Sequence, residues 1–128
     1  MDNKNKIEVI ENFICSYNHF DIDGMLKDIH ENIVFESISN GEIDLACHGI
    51  HEFREQAEYA KNYFKERRER ILKVNVVDND IEIDIDFSGK LARDLSRDLK
   101  TGDILRLKGK SIFRFEGNKI ISIKDISE

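Results

Sequence analysis

The chain has 128 residues, 40% of them hydrophobic and 36% charged, and its formal net charge is −6 at pH 7. This composition is typical of a folded globular protein, and we expect one domain over residues 1–128. The negative charge argues against nucleic acid or an anionic membrane as a partner. No apolar run is long enough for a signal peptide or a membrane span, and two cysteines make no disulfide framework, so we expect a cytoplasmic protein.

The first half of the chain predicts three helices and a hairpin. Apolar residues recur every three or four positions in NKIEVIENFICSYNHF, and Asp21 is a good N-cap for a short second helix in DIDGMLKDIH. The strands IVFESIS and EIDLACH are joined by Asn40-Gly41, a strong type I′ turn signal. We expect a third helix over GIHEFREQAEYAKNYFKERRER, followed by a solvated basic run of Lys65, Arg67, Arg68 and Arg70.

The second half predicts a sheet. ILKVNVV turns at Asp78-Asn79 into DIEIDIDF, and GDILRLKGKSIFRF turns at Gly117-Asn118 into KIISIKDI. Segment 89–102 carries a leucine every four residues, and it suits either a short amphipathic helix or an extended lid. The order of elements predicts an α+β fold, with helices on one face of a curved antiparallel sheet.

One predicted strand alternates acid and isoleucine, with Asp80, Glu82, Asp84 and Asp86 as the acids. Four carboxylates cannot be buried together, so the isoleucines must face the core. A calcium loop needs glycine at its sixth position, where Ile83 stands, and we expect no metal and no cofactor. We expect Asp86 near Arg106, Asp84 near Lys108 and Lys73, and Glu82 near Lys110. An acidic stripe beside a basic one predicts a homodimer through this outer sheet face.

Three stretches carry a family resemblance in their order and spacing: FICSYNHFDIDGMLKDIHENIVFES, CHGIHEFRE and LKTGDILRLKGKSIFRFEGNKIISI. Together they resemble the nuclear transport factor 2-like superfamily, in its SnoaL-like and ketosteroid-isomerase-like branch, over nearly the whole chain. The resemblance implies a cone-shaped sheet wrapped around a deep apolar pocket closed by three helices, the SnoaL-like or cystatin-like α+β barrel. Its enzymes include isomerases, dehydratases, cyclases and epoxide hydrolases, so the fold alone does not settle the activity.

The catalytic positions that the resemblance implies are altered in this chain. Phe13 stands where a tyrosine donor is expected, and Ser37 and Ser111 stand where aspartates are expected. Phenylalanine has no donor, and serine has too high a pKa to act alone as a general base. The usual steroid isomerase and SnoaL-type cyclase mechanisms are therefore excluded at these positions.

Strand and helix periodicity predicts the lining of the pocket. Aromatic and aliphatic side chains dominate it, with a few hydroxyls, which favours a small apolar or aromatic ligand. The predicted lining residues are Phe13, Tyr17, Phe35, Ile83, Ile85, Ser111 and Phe113.

A polar cluster of Ser37, Asp44 and His48 is the candidate catalytic set. Pairing around the Asn40-Gly41 turn predicts Asp44 opposite Ser37 and His48 on the same side, where they can transfer protons or hold a water. The alternative is that Asp44 is a solvated hairpin residue and His48 caps the third helix, since the rims of hairpins usually carry such residues. The prediction is an isomerase, dehydratase or cyclase acting by proton transfer. The alternatives are a non-catalytic dimeric ligand-binding or protein-interaction module and, more weakly, nucleic-acid binding through the basic run.

Overall fold

The computed structural model describes all 128 residues as three helices and one six-stranded sheet. The elements are α1 Asn3–Asn18, α2 Ile22–Leu26, β1 Ile29–Ser39, β2 Glu42–His48, α3 Ile50–Lys61, β3 Phe64–Val77, β4 Asp80–Leu91, β5 Ile104–Glu116 and β6 Lys119–Ser127. The strand order is β2-β1-β6-β5-β4-β3, so the sheet is open, with β2 and β3 at its edges. The predicted α+β class with a curved sheet is confirmed.

One strand pair departs from the antiparallel sheet that the sequence predicts. β6 runs parallel to β1 on one side and antiparallel to β5 on the other. The last strand is inserted between the first strand and the β4–β5 pair, so its direction is set by its hairpin with β5. No helix is both long and apolar enough to cross a bilayer.

Local signals place the first elements where the sequence predicts them. The Asp2 carboxylate accepts from the Asn5 backbone N–H at 2.8 Å to begin α1, and the Asp21 carboxylate accepts from the Gly24 N–H at 2.9 Å to begin α2. Asn40 and Gly41 both have positive φ, 53° and 78°, as a type I′ turn requires.

The third helix is shorter than predicted. It ends at Lys61, and the basic run lies in β3 instead of following a helix. β3 pairs with β4 from Phe64 opposite Leu91 to Val77 opposite Asp80. This long pairing outweighs the helical propensity of the Lys, Glu and Arg residues, as tertiary context often does. The stretch DIDGMLKDIH, predicted as the second helix, is also helical only in part, and its last residue, His30, lies in β1.

Segment 92–103 is an extended connection with turns and no helix, which resolves the choice left open by its leucines. The Asp94 carboxylate accepts from the Thr101 backbone N–H at 2.8 Å and from its hydroxyl at 3.0 Å. The backbone of Leu91 pairs with Gly102 and Asp103 and joins the two ends of the segment.

The core fills the concave face of the sheet. β-Bulges in β2, β3 and β6 bend the strands around α1, α2 and α3. Isoleucines from α1 and three strands meet Phe113 there, and their side chains are almost fully buried. These are Ile10, Ile33, Ile81, Ile83, Ile120 and Ile123.

The acidic strand is β4, and its isoleucines face inward as predicted. The pairing with β5 is offset by two residues from the prediction, so Asp84 lies opposite Lys110 and Asp86 opposite Lys108. The offset follows from the anchoring of Leu91 to Asp103, which fixes where β5 begins. Lys73 lies opposite Asp84 as predicted, and Glu82 still reaches Lys110 diagonally at 3.8 Å.

Candidate functional site

A cavity of about 240 Å³ lies between α1, α3 and the concave face of the sheet. Phe13 packs edge-on against Phe113 with ring centroids 5.9 Å apart, and Phe35 packs against Phe53 at 5.4 Å. Aromatic pairs of this kind give the cavity rigid, apolar walls. Of the predicted lining residues, it contains Phe13, Tyr17, Phe35, Ser111 and Phe113, whereas Ile83 is buried in the core and Ile85 lines a second cavity.

Arg67 is the main correction to the predicted solvated basic run. Its side chain is only 5% exposed, because position 67 falls on the inward face of β3, while Lys65, Arg68 and Arg70 remain exposed. The guanidinium lies 3.8 Å from the centroid of the Tyr17 ring and 4.5 Å from that of Phe20.

The Arg67 guanidinium is held without a carboxylate partner. Its Nε donates to the Tyr17 carbonyl at 2.9 Å, and its Nη2 has no hydrogen-bond partner. Burial lowers the pKa of Arg67, and the two aromatic faces provide part of the compensation that water would give.

Glu69, two residues further along β3, lines the cavity, which Arg67 does not. The Asn18 side chain fixes its backbone: Glu69 N–H donates to Asn18 Oδ1 at 2.7 Å, and Asn18 Nδ2 donates to the Glu69 carbonyl at 3.0 Å. The amide thus imitates a strand partner and ties the end of α1 to β3. Burial and the nearby charge of Asp125 raise the pKa of Glu69 to about 8, against the opposing effect of Arg67.

Asp125 comes from β6, at the centre of the sheet. It pairs with Ser37 of β1 on one side and Ser111 of β5 on the other, and the Ser111 hydroxyl donates to its carboxylate at 2.6 Å. Burial raises the pKa of Asp125 to about 6, although the Ser111 hydrogen bond opposes the rise.

Tyr17 completes the polar group. Burial, and then the charge of Glu69, raise the pKa of its hydroxyl above the ordinary value. The hydroxyl therefore stays protonated at any physiological pH and is available as a hydrogen-bond donor to a ligand oxygen.

A second cavity of about 220 Å³ adjoins the first. The two have four lining residues in common, Tyr17, Ser37, Glu69 and Asp125, and all four are polar. Two carboxyl groups with separated pKa values, a neutral phenol and a serine hydroxyl therefore meet where two apolar spaces join. Such an arrangement can donate and accept protons at a single position of a bound molecule.

The predicted cluster of Ser37, Asp44 and His48 is not brought together. Leu45 lies opposite Ser37, and the predicted pairing with Asp44 is wrong because Asp44 is the extra residue of a bulge between β1 and β2. Asp44 is exposed and bonded to the Ser39 hydroxyl; His48 is exposed, and its backbone N–H donates to Glu52 Oε1 at 2.9 Å. Neither lines a cavity, whereas Ser37 lines both. A catalytic role for these residues stays a prediction.

No protein-family model and no curated protein matches the sequence. Solved structures do match the fold. A candidate SnoaL-like polyketide cyclase from Jannaschia sp. is 11% identical with a TM-score of 0.79, and the match covers 98% of this chain and 86% of that one. A nuclear transport factor 2-like protein of unknown function from Burkholderia pseudomallei is 14% identical with a TM-score of 0.77, over 100% of this chain and 92% of that one. The chain has the nuclear transport factor 2-like fold.

A third structure of this fold contains a ligand. It is a hypothetical protein from Catenulispora acidiphila with a ketosteroid isomerase-like fold, in complex with trimethylamine. It is 10% identical with a TM-score of 0.74, and the match covers 92% of this chain and 83% of that one. The fold resemblance predicted from the sequence is thereby confirmed, and it says nothing further about chemistry.

Within this nuclear transport factor 2-like fold, sequence reasoning missed Arg67, Glu69 and Asp125. For Asp125 a signal was available, because it follows the buried Ile123 by two residues and therefore falls on the inward face of β6. For Arg67 and Glu69 the signal was hidden, because a run of charged residues after a helical stripe is usually a solvated helix end. Arg67, Glu69 and Ile71 share one face of β3, and this alternation becomes evident only once the segment is known to be a strand.

Proposed function

We propose that the protein is an enzyme that transfers protons on a small, neutral, apolar or aromatic ligand that carries a carbonyl group. The observation that carries the proposal is the pair of inward carboxyl groups, Glu69 and Asp125, at the rim shared by two apolar cavities. Environments that push the pKa values of two such groups apart assign them separate acid and base roles.

In this proposal Asp125 is the general base. With a pKa raised to about 6 it is mostly ionised at neutral pH, yet it is a stronger base than an exposed aspartate. It removes a proton from the carbon next to the ligand carbonyl, and the electron pair of the broken C–H bond moves toward the carbonyl oxygen.

In this proposal Glu69 and Tyr17 both act on the carbonyl oxygen of the ligand. With a pKa raised to about 8, Glu69 is mostly protonated at neutral pH and can give a proton to the developing enolate, while the Tyr17 hydroxyl donates a hydrogen bond to it. In a ligand with a carbon–carbon double bond next to the deprotonated carbon, Asp125 returns the proton to the far end of that double bond while the enol proton returns to Glu69. The double bond shifts, an isomer forms and both carboxyl groups are restored.

The open cavity supports this function over a non-catalytic module. Phe13, Phe35 and Phe113 line the space without filling it, and it reaches Tyr17 and Ser37. The complex of the Catenulispora acidiphila protein with trimethylamine is a further indication that this fold can take a small molecule.

The test is deuterium exchange at the carbon next to the carbonyl of simple aryl ketones, acetophenone first, followed by NMR in heavy water. We expect the protein to accelerate exchange, and Glu69→Gln and Asp125→Asn each to slow it by about 10²-fold or more. The pH profile should be bell-shaped, rising through about 6 and falling through about 8. Asp44→Asn and His48→Ala are matched controls that should leave the rate unchanged.

Two outcomes would reject the proposal. One is exchange that proceeds no faster with the protein than with buffer carboxylate. The other is an unchanged rate in Glu69→Gln and Asp125→Asn together with a loss in Asp44→Asn or His48→Ala, which would return the chemistry to the hairpin cluster.

A further inference from the structure

Two apolar chambers meet at the polar group described above. We call the 240 Å³ cavity the inner chamber and the 220 Å³ cavity the outer chamber. A dry apolar cavity of about 150 Å³ is large enough to hold benzene. Each chamber therefore has room for one six-membered ring with a small substituent.

The outer chamber has an apolar side, although only seven of its fourteen lining residues are hydrophobic, against ten of fifteen in the inner chamber. Phe64 packs edge-on against Phe87 with ring centroids 5.4 Å apart, and Leu105 and Leu107 of β5 lie on the same inward face. Because strand residues alternate between faces, the side chains of Lys108 and Lys110 leave the sheet on the other side, where Lys110 pairs with Glu82 at 3.8 Å.

The four residues that line both chambers, Tyr17, Ser37, Glu69 and Asp125, are all polar. A ligand that lay only in the inner chamber would leave Phe64, Phe87 and Leu107 facing water. An anionic centre would lie beside Asp125 and Glu69 with no cation on the shared rim, since Arg67 lines neither chamber. A neutral oxygen fits this rim better than a charged group.

We infer that the ligand is elongated, with two ring-sized apolar ends on either side of one neutral carbonyl-bearing centre. The carbonyl at the centre of this ligand rests on the proposed function. The two apolar ends rest on the two chambers alone.

The test compares deoxybenzoin, which has a ring on each side of its carbonyl unit, with acetophenone, which has one ring. Isothermal titration should show deoxybenzoin binding about tenfold more tightly or better, because a second ring leaves water. Bibenzyl, which has two rings and no oxygen, should bind more weakly than deoxybenzoin.

Two matched variants locate the second ring. Leu107 is 44% exposed at the outer chamber, and Leu95 is 42% exposed on segment 92–103 outside both chambers. Leu107→Trp should fill the outer chamber and reduce deoxybenzoin binding to the level of acetophenone, while acetophenone binding stays within about twofold. Leu95→Trp should change neither affinity.

The inference is overturned if deoxybenzoin binds no more tightly than acetophenone, if Leu107→Trp weakens both ketones equally or neither, or if neither ketone binds at about 1 mM. Deuterium exchange separates this failure from failure of the proposed function. Exchange into acetophenone that still depends on Glu69 and Asp125 would preserve the proton transfer and reject only the two-ended ligand. A tenfold preference for deoxybenzoin without deuterium exchange into either ketone would reject the proposed proton transfer and preserve the inference of a two-ended ligand.

Discussion

Carboxylates on the convex face of β4 lie beside cations, whereas those on the concave face of β3 and β6 lie among aromatic rings. Asp80 accepts from Arg114 at 2.8 and 3.1 Å, and Asp86 accepts from Arg70 at 2.9 Å, both at the surface. Glu69 and Asp125 have no such ion pair, and burial raises the pKa of each. The same side chain thus forms part of a solvated wall or part of a site, depending on which face of its strand it occupies.

The sharpest test of this difference uses two neighbouring arginines. Arg67→Ala removes the stacking on Tyr17 and Phe20 and the bond to the Tyr17 carbonyl, so we expect the free energy of unfolding to fall by about 3 kcal/mol. Arg68→Ala, on the exposed face, should change it by less than about 0.5 kcal/mol. Urea denaturation of both variants measures the contrast. Equal losses of unfolding free energy in Arg67→Ala and Arg68→Ala would mean that the inward position of Arg67 does not stabilise the fold.

The two faces should also differ in the pH dependence of stability. The folded-state pKa of Glu69 is raised from 4.5 to about 8, so the native state binds more protons than the unfolded state in this window. The free energy of unfolding should therefore decrease as the pH rises from about 5 to about 9, on the order of 2 kcal/mol.

Glu69→Gln should flatten this decrease, and Asp84→Asn on the convex face should not. Urea denaturation at several pH values provides the measurement. A wild-type protein that becomes more stable over this window would contradict the sign of the Glu69 shift.

A variant of Asn18 tests whether the inward position of Glu69 depends on the hydrogen bonds between the Asn18 side chain and the Glu69 backbone. Asn18→Ala leaves the backbone N–H and carbonyl of Glu69 without their partners, and we expect a loss of about 1–2 kcal/mol in unfolding free energy. The rate of deuterium exchange should fall in the same variant, and its bell-shaped pH profile should shift because the Glu69 carboxyl group changes position. Asn12→Ala, on an exposed turn of the same helix, is the control. A shift of the profile in the control as well would remove the specific role of Asn18.

The smallest effect on folding is expected on the convex face. Pairs of opposite charge across strands contribute about 0.2–1 kcal/mol each, so Asp84→Asn with Asp86→Asn, which removes the charges without creating like-charge pairs, should cost little stability. If the acidic and basic stripes join two copies of the chain, as the sequence predicts, the double variant should shift a dimer toward monomer in sedimentation. Ligand binding by the monomer should be unaffected. Sedimentation of the wild type as a monomer would reject the predicted homodimer.

The sequence predicts features that depend on local chemistry. Asn40-Gly41 adopts positive φ whatever surrounds it, Asp21 caps its helix, and the isoleucines of β4 alternate inward because period two is a property of the strand. Prediction from the sequence fails where pairing between distant strands determines the local structure. The residues from Phe64 to Arg70 have a helical composition, and only their pairing with β4 makes them a strand and turns Arg67 and Glu69 inward.

The candidate site depends on the same long-range geometry. Asp125 meets Ser37 across a parallel pair of strands far apart in the sequence, and a single bulge residue at Asp44 is enough to replace Asp44 by Leu45 opposite Ser37. The aromatic lining could be predicted because helix and strand periods specify it. The acid pair could not, since its members meet only in the folded sheet.

The central position of β6 has a consequence for the order of folding. This strand is last in the sequence, yet it lies between β1 and β5 and joins the β1–β2 hairpin to the β3–β5 meander. Until β6 is in place, the β1–β2 hairpin and the β3–β5 meander each have an unpaired edge. Closing the long loop between β1 and β6 carries an entropic cost before any contact compensates it. Assembly of the candidate site should therefore coincide with the slowest step of folding, because the strand that closes the sheet also supplies the proposed base.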